Sequence, residues 1–250
     1  MRGLKGKNVL ITGGSRGIGK ATAQRFLEEE ARVFICGLEA DEVEQTVREL
    51  GPLGFIRGLA CDISREEDVQ RLVSTAEESL GGIDILINNA GIAWSEPFLE
   101  IPPEHWDRTL AVNLRGMYLV GQAVAKQMVA RGKGGAIVNM SSTNGLVGEN
   151  LYAHYGASKG GVLMLTKTMA IELGKYGIRV NALCPGYIQT PLSASIDSPE
   201  FIAAYAREKI PLHRVGKVEE VAAAYAFLAS EDASFIHGTE LVIDGGQLSF

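Results

Sequence analysis

Short apolar runs and longer amphipathic stretches alternate from one end of the chain to the other. The runs at residues 8–12, 32–36, 54–60, 84–88, 135–140, 179–184 and 240–243 are brief and bounded by turn-forming residues, as strands covered on both faces are. Between them, apolar residues recur at helical spacing over 18–29, 41–50, 65–80, 103–131, 152–176 and 218–229. Strand and helix in this alternation require right-handed crossovers. They predict a mostly parallel seven-stranded sheet with helices on both faces, a doubly wound, Rossmann-like α/β domain over residues 1–250. Ligands of such sheets sit beyond the carboxyl ends of the strands, which here are followed by the chain's least ordinary residues. One stretch breaks the rhythm: 186–215 carries Pro191, Pro199 and Pro211 and is expected to form a substrate lid with at most a short helix around 200–208.

Composition narrows the partners. Hydrophobic residues make up 46% and charged residues 22% of the 250, enough to bury a large core. The 24 Lys and Arg against 30 Asp and Glu leave a net charge of −6 with no basic run, so neither nucleic acid nor an anionic membrane is an expected partner. Cys36, Cys61 and Cys184 stand in apolar surroundings without metal spacing, and read as small buried hydrophobes in a reducing compartment. No apolar stretch has the length of a membrane span or of a leader's core, and a cytoplasmic location is expected.

Four local patterns carry candidate chemistry. Thr12-Gly13-Gly14-Ser15-Arg16-Gly17-Ile18-Gly19 joins the first strand to the first helix, where glycines let the backbone approach a pyrophosphate that the helix N-terminus then attracts. Asp62 ends the third strand, placed either to accept from an adenine amino group or to begin a helix. Asn88 and Asn89 end the fourth; Asn88 is expected to bond to backbone within the fold and Asn89 to stand at the edge of the site. Tyr155 and Lys159, four apart on one helix face, could form an acid/base pair, because a close cation favours a phenolate. The same spacing equally suits a packed ring and a solvated amine.

Taken in order, TGGSRGIG, CDI, NNAG, Asn113 in AVNLRGM, Ser142 in VNMSS, YGASK, the Pro185-Gly186 turn and IDGG at 243–246 make the chain resemble the short-chain dehydrogenase/reductase family, in its compact single-domain branch, over essentially its whole length. The resemblance implies an NAD(P)(H)-dependent oxidoreductase that interconverts a secondary alcohol and a ketone. It implies that Tyr155 exchanges the proton, that Ser142, thirteen residues earlier, holds the substrate oxygen, and that Lys159 lowers the Tyr155 pKa and bonds the nicotinamide ribose. Asn113 would hold a water that relays protons to the lysine. The cofactor would lie along Gly13, Ser15, Arg16, Gly17, Ile18 and Gly19, then Leu38, Asp62, Ile63, Asn89, Ala90 and Gly91. It would end at Tyr155, Lys159, Pro185, Gly186, the Ile188 backbone and the Thr190 hydroxyl. No metal site is expected, and the resemblance implies a homotetramer built through long helices and the C-terminal strand.

Cofactor choice stays open. NAD-using relatives place an Asp where this chain has Gly37, and NADP-using ones an Arg where it has Leu38. Arg16 could meet a 2′-phosphate, whereas Glu39, Asp41 and Glu42 would repel one. The substrate wall is expected from Thr143, Asn144, Glu149, Asn150, Tyr152, His154, Tyr187, Gln189 and the lid, although His154 itself should point about 100° from Tyr155 on the helix. These side chains suit a small polar hydroxy or oxo compound. A 3-oxoacyl group on acyl carrier protein is the second reading, with Lys133 as a basic docking residue but Tyr176 where such relatives have another. A non-catalytic nucleotide-binding regulator is a third, although both Tyr155 and Lys159 are present. Epimerase chemistry with the same pair would need a larger substrate domain.

Overall fold

Val, Ile and Leu dominate the strand interiors because each strand is covered on both sides. In β1 (Asn8–Thr12), Val9 and Ile11 enter one apolar layer and Leu10 the other. The computed structural model describes residues 1–249. After β1 come α1 (Gly17–Glu28), β2 (Arg32–Gly37), α2 (Ala40–Leu50), β3 (Ile56–Ala60), α3 (Glu66–Leu80) and β4 (Ile85–Asn88). Then follow α4 (Pro103–Leu110), α5 (Met117–Arg131), β5 (Gly135–Met140), α6 (Ala153–Leu173) and β6 (Ile178–Pro185), and last α7 (Pro191–Ile196), α8 (Pro199–Lys209), α9 (Val218–Ala229) and β7 (Glu240–Ile243). All seven strands are parallel in the order β3-β2-β1-β4-β5-β6-β7, so the strand order reverses between β1 and β4 and opens a crevice at their carboxyl ends.

One layer packs Phe26 and Leu27 of α1 and Val221, Tyr225 and Ala226 of α9 on the sheet; the other packs Leu72 and Ala76 of α3 and Val120, Val124 and Met128 of α5. Each Val, Leu, Phe and Met among them contributes about 1.5–3 kcal/mol by leaving water. Asn88 is tied inside the fold as expected: its Nδ2 donates to Asn139 Oδ1 at 3.0 Å and Met117 O at 3.3 Å, while Asn139 Nδ2 donates to Thr166 Oγ1 at 2.9 Å. The three cysteines are buried and unpaired. Among the described residues no helix is long and apolar enough to cross a membrane.

Three expectations are corrected. The stretch 103–131 runs as α4, a π-helical turn at Ala111–Gly116 and α5, a change of hydrogen-bond pattern that apolar spacing does not reveal. β3 begins at Ile56 because Pro52 opens a 3₁₀ turn before it. The segment 186–215 is more helical than its prolines suggest: Pro191 and Pro199 occupy first helical positions, where the missing N–H costs nothing, and Thr190 and Ser198 cap α7 and α8.

Candidate active site

The turn after β1 is built for close approach. Gly13 and Gly17 adopt positive φ, and a Cβ on Gly19 would fall 1.9 Å from Gly13 O, so only glycine lets α1 start against the turn. No side chain caps α1, so its first-turn N–H groups can bond a pyrophosphate. Asn89 does more than mark an edge: its Nδ2 donates to Thr12 O at 3.0 Å and Gly13 O at 3.1 Å, fixing the turn from β4.

A cavity of about 360 Å³ runs from this turn along the ends of β1, β2 and β3, lined by the predicted Gly13, Ser15, Arg16, Gly17, Ile18, Gly19, Leu38, Asp62, Ile63, Asn89, Ala90 and Gly91. A Cβ on Gly37 would lie 2.6 Å from Ser15 Oγ, so the usual Asp at this β2 end would require the Ser15 side chain to turn aside. In its place Glu42 reaches over from α2, accepting from Ser15 Oγ at 3.3 Å and pairing with Arg16 at 3.4 Å. Asp62 accepts from Ser64 N at 3.0 Å, Ser64 Oγ at 2.7 Å and Arg108 Nη2 at 3.0 Å. Burial pushes its pKa up, but these bonds together outweigh it and hold the carboxyl below its usual range.

The first cavity shares Ile18, Asn89, Gly91, Thr190 and Leu192 with a second of about 510 Å³ that contains Ser142, Tyr155 and Lys159. β5 delivers Ser142, and the first two turns of α6 deliver Tyr155 and Lys159. Lys159 is buried; its Nζ donates to Met140 O at 2.8 Å and lies 5.5 Å from the Tyr155 ring centroid. The tuning expected of Lys159 is not seen in the protein alone: burial pushes Tyr155 up to about 12, opposed by the Ser142 hydroxyl, and burial lowers Lys159 to about 8. Desolvation dominates because the ammonium is turned to a carbonyl rather than to the phenol.

Asn113 lies in the π-helical turn, fully buried, with Oδ1 accepting from Ile92 N and Nδ2 donating to Ile92 O, both at 2.8 Å, and to Ser158 Oγ at 3.2 Å. A Cβ on Gly91 would sit 3.3 Å from Asn113 Oδ1 and 3.5 Å from Lys159 Nζ, so the loop after β4, the π turn and the lysine converge on one point. Pro185, Gly186, Ile188 and Thr190 line the same cavity, and the Thr190 hydroxyl accepts from Ser193 N at 3.0 Å as the cap of α7.

Of the expected wall, Thr143, Asn144, Glu149, Asn150, Tyr152 and Tyr187 line the cavity, whereas His154 and Gln189 do not. The lid also lines it, as expected, through Asp197, Phe201 and Tyr205, which the sequence does not single out, whereas Ser95 and Gln247 reach the cavity from distant segments that reading the sequence misses. Tyr187 Oη donates to Asp197 Oδ2 at 2.6 Å, Tyr205 Oη donates to Glu149 Oε2 at 3.3 Å, and Gln247 Nε2 donates to Tyr205 Oη at 3.0 Å. Burial and the two carboxylates push Tyr205 up to about 12, and they raise Tyr152 as well. Among the described residues no group of three His, Cys, Asp or Glu could hold a metal ion.

The chain is similar to known proteins over nearly its whole length. Residues 13–247 match a family model described as enoyl-(acyl carrier protein) reductase. The chain is 38% identical to the NADP-dependent (R)-specific alcohol dehydrogenase of Lentilactobacillus kefiri, covering 97% of each chain. It is 40% identical to the L-rhamnose-1-dehydrogenase of Scheffersomyces stipitis, over 97% of this chain and 96% of that one. A crystal structure of a short-chain type dehydrogenase/reductase from Mycobacterium marinum superposes with a TM-score of 0.93 at 37% identity, covering 98% of this chain and 96% of that one.

Proposed function

The chain belongs to the short-chain dehydrogenase/reductase family as an NAD(P)-dependent oxidoreductase acting on CH–OH groups, and on that premise we propose that Tyr155, Ser142, Lys159 and Asn113 interconvert a secondary alcohol and a ketone in a small polar hydroxy or oxo compound. The observation supporting these roles is the placement of Ser142, Tyr155 and Lys159 beside the junction of the glycine-rich cavity and the second one. A nicotinamide dinucleotide fits the first cavity, since Gly13 and Gly19 let α1 start tight against the turn after β1 and no side chain caps the first-turn N–H groups that would meet its pyrophosphate. When bound, it supplies hydride transfer, which no side chain can perform. Tyr155 Oη gives its proton to the carbonyl oxygen in reduction and takes it back in oxidation, while Ser142 Oγ holds that oxygen in place. Lys159 grips the nicotinamide ribose, and Asn113 orders the proton path behind it.

Oxidation needs the phenolate and reduction the phenol. With Tyr155 raised to about 12, the phenolate fraction still grows at pH 10. The expected result is that kcat/KM for alcohol oxidation climbs steadily from pH 7 to 10, whereas ketone reduction does not depend on deprotonating Tyr155. A flat oxidation profile over that range would contradict the assignment.

Charge at the adenosine end supports a preference for NAD(H). The charged groups lining that cavity are Arg16, Arg108, Glu39, Glu42 and Asp62, giving 2 − 3 = −1, and both arginines already face carboxylates. A 2′-phosphate would add negative charge there, whereas a ribose diol would find acceptors. NAD(H) is expected to bind at least tenfold more tightly than NADP(H) by calorimetry, and Glu42→Ala to narrow the gap by releasing Arg16. Equal or tighter NADP(H) binding by the parent protein would reverse this reading.

Tyr187, Tyr205, Glu149, Asp197 and Gln247 give the substrate wall several hydrogen-bonding groups, which supports a small polar compound. A cofactor-linked screen of hydroxyacetone, glycerol, aldoses and a 3-oxobutanoyl thioester tests this. If the thioester were turned over more than tenfold better than every small polar compound, the carrier-bound ketoester would take first place. The segment 186–215 is assigned as a lid within one cofactor-binding domain, because α7 and α8 supply part of the cavity wall. A cytoplasmic homotetramer completes the proposal. Its support is three unpaired thiols and the exposed apolar Tyr118 of α5 and Met164 and Ile171 of α6.

A further inference from the structure

Tyr155 lies in the first turn of α6, where backbone N–H groups have no helical partner. The N-cap residue Tyr152 offers none through its side chain. Instead the Tyr155 N–H donates to Nδ1 of its neighbour His154 at 3.0 Å, and His154 is fully buried. Because Nδ1 accepts there, the imidazole proton sits on Nε2, which faces Glu96 Oε2 at 3.2 Å. The other Glu96 oxygen faces His105 Nδ1 at 2.7 Å, and the His105 ring stacks on Trp94 with centroids 4.4 Å apart and planes 6° from parallel. Glu96 also donates its backbone N–H to Leu151 O at 2.9 Å, and Leu151 holds a left-handed φ of 68° that is strained for leucine. The Glu96 carboxylate thus joins α4 to the first turn of α6, and its backbone N–H ties the loop after β4 to the segment leading into α6.

We propose that Glu96 and His154 are positioning residues for the reaction: Glu96, held from its far side by His105, fixes the His154 ring so that its Nδ1 caps Tyr155, and the cap sets where the phenol stands between Ser142 and Lys159. The arrangement is specific in its chemistry. Bridging a carboxylate to a backbone N–H one residue away takes a side chain that donates on one side and accepts on the other, so a merely bulky or apolar side chain at 154 would fill the space and leave the amide without its acceptor. The proposal rests on Tyr155 being the proton donor.

Two measurements test it on the full-length protein. In hydrogen exchange, the peptide containing Tyr155 is expected to exchange at least tenfold faster in His154→Ala and in Glu96→Ala than in the parent, with the β1 and β4 peptides unchanged. In turnover of hydroxyacetone, or of whichever screened compound is reduced, kcat is expected to fall about tenfold in each variant. KM should stay within about twofold, and the double variant should lose no more than either single one, because both act through one bond. Glu96→Gln, which keeps an oxygen acceptor, should recover kcat to within about threefold; it also carries both measurements if an alanine variant does not fold, with the smaller loss of protection expected of it. Parental exchange at Tyr155 in the folded variants would overturn the proposal. So would a loss confined to KM, or a double variant whose loss is the product of the single ones. Tyr155→Phe is the separate control: if it stays active, the reading of Tyr155 itself fails, whereas an inactive Tyr155→Phe beside a fully active Glu96→Ala defeats only the positioning role.

Discussion

Tyr155→Phe is expected to lose at least about a thousandfold in kcat while binding the nicotinamide cofactor as tightly as the parent protein. A loss of that size corresponds to about 4 kcal/mol of transition-state stabilisation, the scale for removing a positioned proton donor together with its hydrogen bond to the developing oxyanion. Binding should survive because the ring stays: Tyr155 packs edge-on to Tyr152 with centroids 6.1 Å apart, a contact phenylalanine keeps. The Ser142 hydroxyl beside the phenol remains, but it also accepts from Asn144 N at 3.1 Å, and an aliphatic hydroxyl gives up its proton far less readily than a phenol does. Single-turnover kinetics with the cofactor's absorbance as the signal separates hydride transfer from product release. A kcat within tenfold of the parent would mean that the proton comes from elsewhere, with Ser142 the nearest candidate.

What the sequence makes legible, and what it does not, follows from how far apart the cooperating residues lie. Strands covered on both faces read as short apolar runs because most of their side chains enter an apolar layer, and all seven were found, three with the expected bounds and four with an end shifted by one or two residues. The glycine turn is legible because Gly19 has no alternative: any Cβ there meets Gly13 O. Tyr155 and Lys159 are legible because helical spacing is local. The Tyr205–Glu149 bond spans 56 residues and the Gln247–Tyr205 bond 42, so no local pattern announces them. The π-helical turn hides for another reason: it is a change of backbone hydrogen bonding within a continuous helical stretch, and Asn113 bonds Ile92 and Ser158 from within it. His154 shows the subtlest failure. Its position on the helix correctly sends it away from the substrate cavity, but the carboxylate that gives it a task lies 58 residues earlier in the chain.

Lys159→Met is expected to make the protein more stable and nearly inactive. Burial lowers the Lys159 pKa from 10.5 to about 8, and at roughly 1.4 kcal/mol per unit this costs the folded state on the order of 3 kcal/mol. Methionine fills similar volume without charge, but it leaves the Met140 carbonyl without the 2.8 Å bond from Nζ, a loss of about 1–2 kcal/mol. The net gain of roughly 1–2 kcal/mol corresponds to a Tm about 2–8 °C higher at neutral pH in a chain of this size. The pH dependence has a definite sign. Below pH 8 the lysine is protonated folded and unfolded, and the full penalty is present. Between pH 8 and 10.5 the unfolded chain holds more protons than the folded one, so the parent's stability rises relative to the variant and the gap closes. Denaturant melts at pH 7 and pH 10 measure this directly. A variant less stable than the parent at pH 7, or a gap that widens with pH, would show that the ammonium is satisfied in its pocket. Activity should move the other way, by at least about a hundredfold in kcat, with weaker cofactor binding as the ribose loses its cation. A residue whose removal stabilises the fold while abolishing turnover is one the structure keeps for chemistry, and at Lys159 that cost has a location: a charge held 5.5 Å from the Tyr155 ring with a backbone carbonyl as its partner.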